Sequence, residues 1–201
     1  MCLWAQALDD KFNWTRVQGK TPSQNTGPAI DHTTGGSAGY YVYIETSYPR
    51  KPNDTARIES ATIPSTQQKC LQFWYHMYGP HVDTLNVYTK INKQLGSPVY
   101  TRSGTQGNKW KHATVSLTVS SKFKVVFEGR RGLSWAGDIA LDDISMQDGQ
   151  CPPQLQCSFE DQNFCGWKNV HGDNFDWTRA NGYTASIGTG PSYDHTTGTA
   201  N

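Results

Sequence analysis

The chain has 201 residues, enough for one or two domains, with a net charge of +1, 17% charged residues, 12% aromatic residues and 19 glycines. That balance excludes a disordered chain and leaves no overall field to hold nucleic acid or an anionic membrane. The longest purely apolar or aromatic run, Tyr40 to Ile44, falls far short of the ~20 residues a membrane-spanning helix needs.

Taken in order, the chain reads as strand after strand. Tyr40 to Ile44 is β-branched and aromatic and follows a glycine turn at Gly35-Gly36. Ala56 to Ile63 alternates and stops at Pro64. Cys70 to Tyr78 closes on Gly79-Pro80. Asp83 to Ile91 alternates cleanly, with Leu85, Val87 and Thr89 on one face. A short strand at Val99 to Thr101 follows, then Trp110 to Leu117, Lys122 to Glu128 and Ile139 to Met146. No stretch carries a 3.6-residue apolar stripe. Many short strands with turn signals between them predict an all-β fold, an antiparallel sandwich of jelly-roll or Greek-key type.

One stretch is written twice. Phe12, Trp14-Thr15-Arg16, Gly27-Pro28 and Asp31-His32-Thr33-Thr34-Gly35 recur 163 residues later as Phe175, Trp177-Thr178-Arg179, Gly190-Pro191 and Asp194-His195-Thr196-Thr197-Gly198. The same offset carries Cys2 onto Cys165 and Trp4 onto Trp167. A period of that size is a domain and not a solenoid unit. The expected organisation is a first domain over 1–151, a stiff Pro-rich linker over 152–156 and the opening of a second domain over 157–201. Cys157 would map before residue 1, so the first copy reads as lacking its opening strand.

The five cysteines, Cys2, Cys70, Cys151, Cys157 and Cys165, form no Cys-x-x-Cys pair, which disfavours zinc ribbons and thioredoxin-like chemistry. Spaced cysteines together with sequons at Asn13 and Asn53 favour a secreted or ectodomain setting with glycans at those two asparagines.

These residues resemble the MAM family, the module of meprin, A5 and receptor phosphatase mu. Cys157-Ser158-Phe159-Glu160 resembles its opening, and Phe164-Cys165-Gly166-Trp167 its second cysteine block. Leu71 to Gly79 resembles its third-cysteine strand and Gly137 to Ile144 its closing strand. Leu3 departs from the pattern, which has glycine after the second cysteine. The resemblance implies a jelly-roll sandwich and a non-catalytic, extracellular adhesion or oligomerisation module. It would bind other extracellular proteins, itself included, in a parent protein that can be membrane-anchored. It also implies disulfides Cys70–Cys151 and Cys157–Cys165, with Cys2 unpaired. Two other readings stay open: a carbohydrate-binding sandwich, and a non-catalytic accessory domain of a secreted protease.

Asp31, Asp142 and Asp143, with Glu160 and Asp194 in the second copy, suggest a structural calcium site, because calcium takes carboxylate and carbonyl oxygens. Strand alternation lets only one of Asp142 and Asp143 face a shared ion. The competing reading is Asx-turn capping by Asp31 and Asp194. His32, His195 and His76 read as packed and hydrogen-bonded histidines. Trp14 and Trp177 read as core residues, with a sugar-stacking platform as their rival role. Arg130-Arg131 reads as a surface-loop pair. Gly132-Leu133-Ser134-Trp135-Ala136 only superficially resembles a nucleophile elbow, since Ala136 stands where glycine is needed.

Overall fold

The computed structural model describes residues 4–152, Cys157, Phe159, 167–182 and 184–194. The chain splits into two compact units, Met1–Cys151 and Pro152–Asn201.

Among its described residues the first unit holds ten strands: β1 (Trp4–Gln6), β2 (Thr15–Gln18), β3 (Tyr40–Ile44), β4 (Thr55–Ser60), β5 (Thr66–Tyr78), β6 (Val82–Ile91), β7 (Gln94–Ser103), β8 (Gly107–Val119), β9 (Lys124–Arg131) and β10 (Asp138–Asp148). They form two five-stranded sheets, β1-β4-β9-β6-β7 and β2-β3-β10-β5-β8, in which every strand pairing is antiparallel. The expected all-β sandwich is what the chain forms.

Period-two patterning builds the core. In β5, Leu71, Phe73, Tyr75 and Met77 turn inward and are buried. They meet Leu85 and Val87 of β6, Val125 and Phe127 of β9, and Ile139 and Leu141 of β10 in one cluster. Phe73 and Phe127 touch edge to face, with ring centroids 4.9 Å apart. The middle strands, β9 and β10, have neighbours on both sides and carry the long buried runs 125–129 and 138–141.

The edge strand β7 runs over ten residues, where the sequence predicts three. Gly96 and Pro98 are breakers by propensity. An edge tolerates them because only one side of the strand must pair, and the register shifts at Tyr88/Pro98 absorb the proline. β9 extends through Arg130 and Arg131, which are therefore not loop residues. Arg130 is held by Asp83, with Nε donating at 2.5 Å. Arg131 is buried.

Candidate functional site

The acidic site expected from the sequence is assembled by one turn and one bulge. Asp31 is buried and turned back into its own turn: its carboxylate accepts from Thr34 N–H at 2.8 Å, Thr34 Oγ1 at 2.6 Å and Gly36 N–H at 3.3 Å. The Thr34 hydroxyl and these backbone donors hold its carboxyl below the ordinary range. A Cβ on Gly39 would stand 2.1 Å from the Asp31 carboxylate, so only glycine fits beside this cap.

Asp142 and Asp143 lie against the same turn. His32 N–H donates to Asp142 Oδ2 at 2.9 Å, and Thr33 Oγ1 donates to Asp143 Oδ1 at 2.6 Å. His32 Nδ1 lies 2.6 Å from Asp143 Oδ2. The alternation argument, which allowed only one of the two acids on this face, is corrected here. The register between β10 and β5 shifts between Asp142 and Ser145, and Asp143 takes a left-handed φ of 47°. A bulge breaks the two-residue period and aims consecutive side chains at one partner.

In this structure these carboxylates are engaged within the turn and the bulge. Both Asp31 oxygens serve Thr34 and Gly36, and both Asp143 oxygens serve Thr33 and His32. No group of three potential metal ligands occurs among the described residues. Glu160 lies outside the described residues, and Asp194 belongs to the second unit.

The His32 ring stacks on Trp74 at a centroid distance of 3.6 Å, and His112 lies 5.1 Å from the same indole. His76 is buried. Its Nε2 lies 3.1 Å from Asn108 Oδ1, while its Nδ1 has no hydrogen-bond partner among the described residues. Burial pushes the His76 imidazole down to about 4, against a smaller upward pull from Asn108.

Asp138 is a buried acid that the sequence reasoning did not single out. It has no exposure, and it accepts from Thr26 Oγ1 at 2.7 Å and more weakly from Thr46 Oγ1 at 3.4 Å. Burial pushes its carboxyl up to about 6, although the threonine hydroxyls oppose the shift. The signal was a single acid heading the apolar run Ile139-Ala140-Leu141.

At the end of the sandwich where β9 turns into β10, Arg131 has no carboxylate partner among the described residues and is used as a brace. Its Nε donates to Thr46 O at 3.0 Å, and its Nη1 donates to Gly132 O and Leu133 O at 3.1 Å. Thr46 Oγ1 donates to Trp135 O at 2.6 Å. The loop is fixed by its carbonyls, so Leu133 and Trp135 project outward, 82% and 49% exposed. Ser134 lies between them.

The MAM domain family, described as meprin/A5/mu, matches residues 1–152 and 157–201. The chain belongs to the MAM family. Human MAM domain-containing glycosylphosphatidylinositol anchor protein 1 is 40% identical over 159 residues, covering 76% of this chain and 16% of that protein. Mouse MAM domain-containing glycosylphosphatidylinositol anchor protein 2 is 37% identical over 169 residues, covering 77% and 18%. The chain thus spans about a sixth of the length of these relatives. The K1 cleaved adhesin domain of Lys-gingipain from Porphyromonas gingivalis superimposes with a TM-score of 0.53 at 16% identity, covering 73% of this chain and 90% of that domain. At that identity the likeness shows the fold alone. The comparisons indicate no catalytic family.

Within the first MAM unit, Cys70 and Cys151 form a disulfide with a Cα–Cα distance of 4.7 Å. Cys157 is disulfide-bonded. Cys2 and Cys165 lie outside the described residues, as does His195. Both sequon asparagines, Asn13 and Asn53, are exposed, and Asn53 sits in a left-handed turn at φ 70°.

The two copies treat the same motif differently. Trp14 is 3% exposed and donates its indole N–H to Ala56 O at 2.9 Å, which makes it a core residue and not a stacking platform. Trp177 is 86% exposed and Phe175 85%, so the expectation that Trp177 is a core residue is corrected. The burial of Trp14 depends on β3, β4 and β9. Among the described residues the second unit has no strand to play those parts.

Proposed function

We propose that this MAM chain is a non-catalytic docking module of a cell-surface or secreted protein, binding other extracellular proteins through loops carried by its first sandwich. The observation that carries the reading is the family match along both units, and the named relatives are membrane-anchored by a lipid glycan. The exposed sequon asparagines are compatible with passage through the secretory pathway and with glycans at Asn13 and Asn53.

Geometry adds a place for the contact. Leu133 and Trp135 offer exposed apolar area on a loop whose backbone is already fixed by Arg131 and Thr46. A preorganised loop loses little entropy on binding, and an aromatic anchor is the usual centre of a binding hot spot. Asn53 N–H bonds Arg131 O, so a glycan there borders the loop and narrows the approach.

Binding to a panel of cell-surface ectodomains, with this chain itself among them, tests the reading. At least one saturable binder is expected, weakened about tenfold or more by Leu133→Ser with Trp135→Ser. A panel with no binder, or binders indifferent to both changes, defeats it. An accompanying array of neutral glycans addresses the carbohydrate-binding reading.

A further inference from the structure

The other end of the same sheet carries a concentration of positive charge that the overall balance conceals. A cleft of about 670 Å³ opens where β1, the end of β4, the end of β6 and the start of β9 meet. Four lysines line it, Lys90, Lys93, Lys122 and Lys124, against two carboxylates, Asp9 and Glu59. The excess at this one place exceeds the +1 of the entire chain.

The arrangement is unusual for a sheet. Lys90 and Lys124 are direct cross-strand partners in the β6–β9 pairing, and like charges placed opposite one another destabilise a sheet. Glu59, on neighbouring β4, bonds both ammonium groups, the Lys124 contact being 2.9 Å. Burial raises the Glu59 carboxyl, but hydrogen bonds and charge from the two lysines outweigh it, so it stays ionised. Glu59 thus fixes both lysines in place, and Asp9 Oδ2 lies 3.8 Å from Lys90 Nζ, so the unbalanced charge of the cleft falls on Lys93 and Lys122. Lys93 and Lys122 are exposed, and neither has a side-chain partner among the described residues. Asn53, at the opposite end of β4, is separated from Glu59 by a strand's length, roughly 20 Å at 3.3 Å per residue, so a glycan there leaves the cleft clear.

We infer that this cleft binds a sulfated polysaccharide segment, of the kind found on glycosaminoglycan chains. The cationic groups lining it are all lysines. Ammonium groups act as point charges that donate to sulfate oxygens in many directions, whereas the arginine fork serves a fixed, planar bidentate contact. An open cleft crossed by several cations suits an extended chain that repeats its anions.

The experiment uses the full chain in 0.15 M salt with three probes: a heparin-derived octasaccharide, the same oligosaccharide with its sulfates removed, and polyglutamate of matched length. The sulfated probe is expected to bind, with affinity falling steeply as salt rises. The other two are expected to bind at least about tenfold more weakly. Lys93→Ser with Lys122→Ser, both at exposed positions, is expected to weaken binding about tenfold and flatten the salt dependence while leaving the melting temperature unchanged. Leu133→Ser with Trp135→Ser is expected to bind the probe normally, which separates this inference from the protein-docking reading. No binding by the wild-type chain, equal binding by the double lysine variant, or equal binding of polyglutamate overturns it.

Discussion

Two buried titratable residues pull the first unit's response to acid in opposite directions. Asp138 titrates near 6 in the folded chain against an ordinary 3.8. Its contribution to stability is therefore complete below about 4 and lost as pH rises through 6. His76 titrates near 4 against an ordinary 6.5. Its contribution is complete above about 6.5 and lost as pH falls toward 4, the opposite sign over the same window. The two slopes offset each other in the wild-type chain. Asp138→Asn should make the chain lose stability more steeply between pH 6.5 and 4, and His76→Gln should make it lose less or even gain. Urea midpoints at pH 4.5 and 7 read the difference; parallel pH curves for the two variants would refute the assignment.

Elements show where local preference was overruled. The core strands, Cys70 to Tyr78 and Asp83 to Ile91, were legible because inward residues alternate without a break. β1 and β2, with three and four residues, carry too little pattern to be read alone and exist because β4 and β3 offer them partners. The β10 bulge was equally hidden: Asp142-Asp143 looks like ordinary alternation until Asp143 adopts its left-handed backbone. One covalent tie spans the same elements, joining β5 to the chain just beyond β10. The Cys70–Cys151 bond closes a separation of 81 residues. By chain entropy a loop of that length is worth about 4–5 kcal/mol. Cys70→Ser with Cys151→Ser should lower unfolding stability by about that amount while leaving the β-rich circular dichroism intact at low temperature. A loss below about 1 kcal/mol would show that the denatured chain is already constrained there.

At the scale of the whole chain, the repeated motif separates two kinds of information. Gln6 Nε2 donates to Trp14 O, and Trp14 N–H donates to Gln6 Oε1. Asn169 and Trp177, each 163 residues later, make the same reciprocal pair. Thr21 Oγ1 donates to Thr26 O, and Thr184 Oγ1 donates to Thr189 O at the same offset. The local brackets are alike, yet among the described residues only the first copy buries its aromatics. Hydrogen exchange should therefore divide the chain. Amides in Phe73 to Tyr78 and Lys124 to Phe127 should stay protected for hours, and those from Thr178 to Asp194 should exchange within seconds. Equal protection in both regions would mean that the second unit holds its exposed aromatics in a structure as stable as the sandwich.

By itself the sequence determined the fold class, the strands of the core, the repeat and the turn at Asp31, because alternation, glycine turns and side-chain caps act over a few residues. The tertiary structure alone decided three things. It turned Asp142 and Asp143 toward one partner through a bulge. It buried Arg131 as a brace for an exposed loop. It brought four lysines from distant segments around a single cleft. Each of these depends on which strands become neighbours, and net charge, period and spacing carry no record of that.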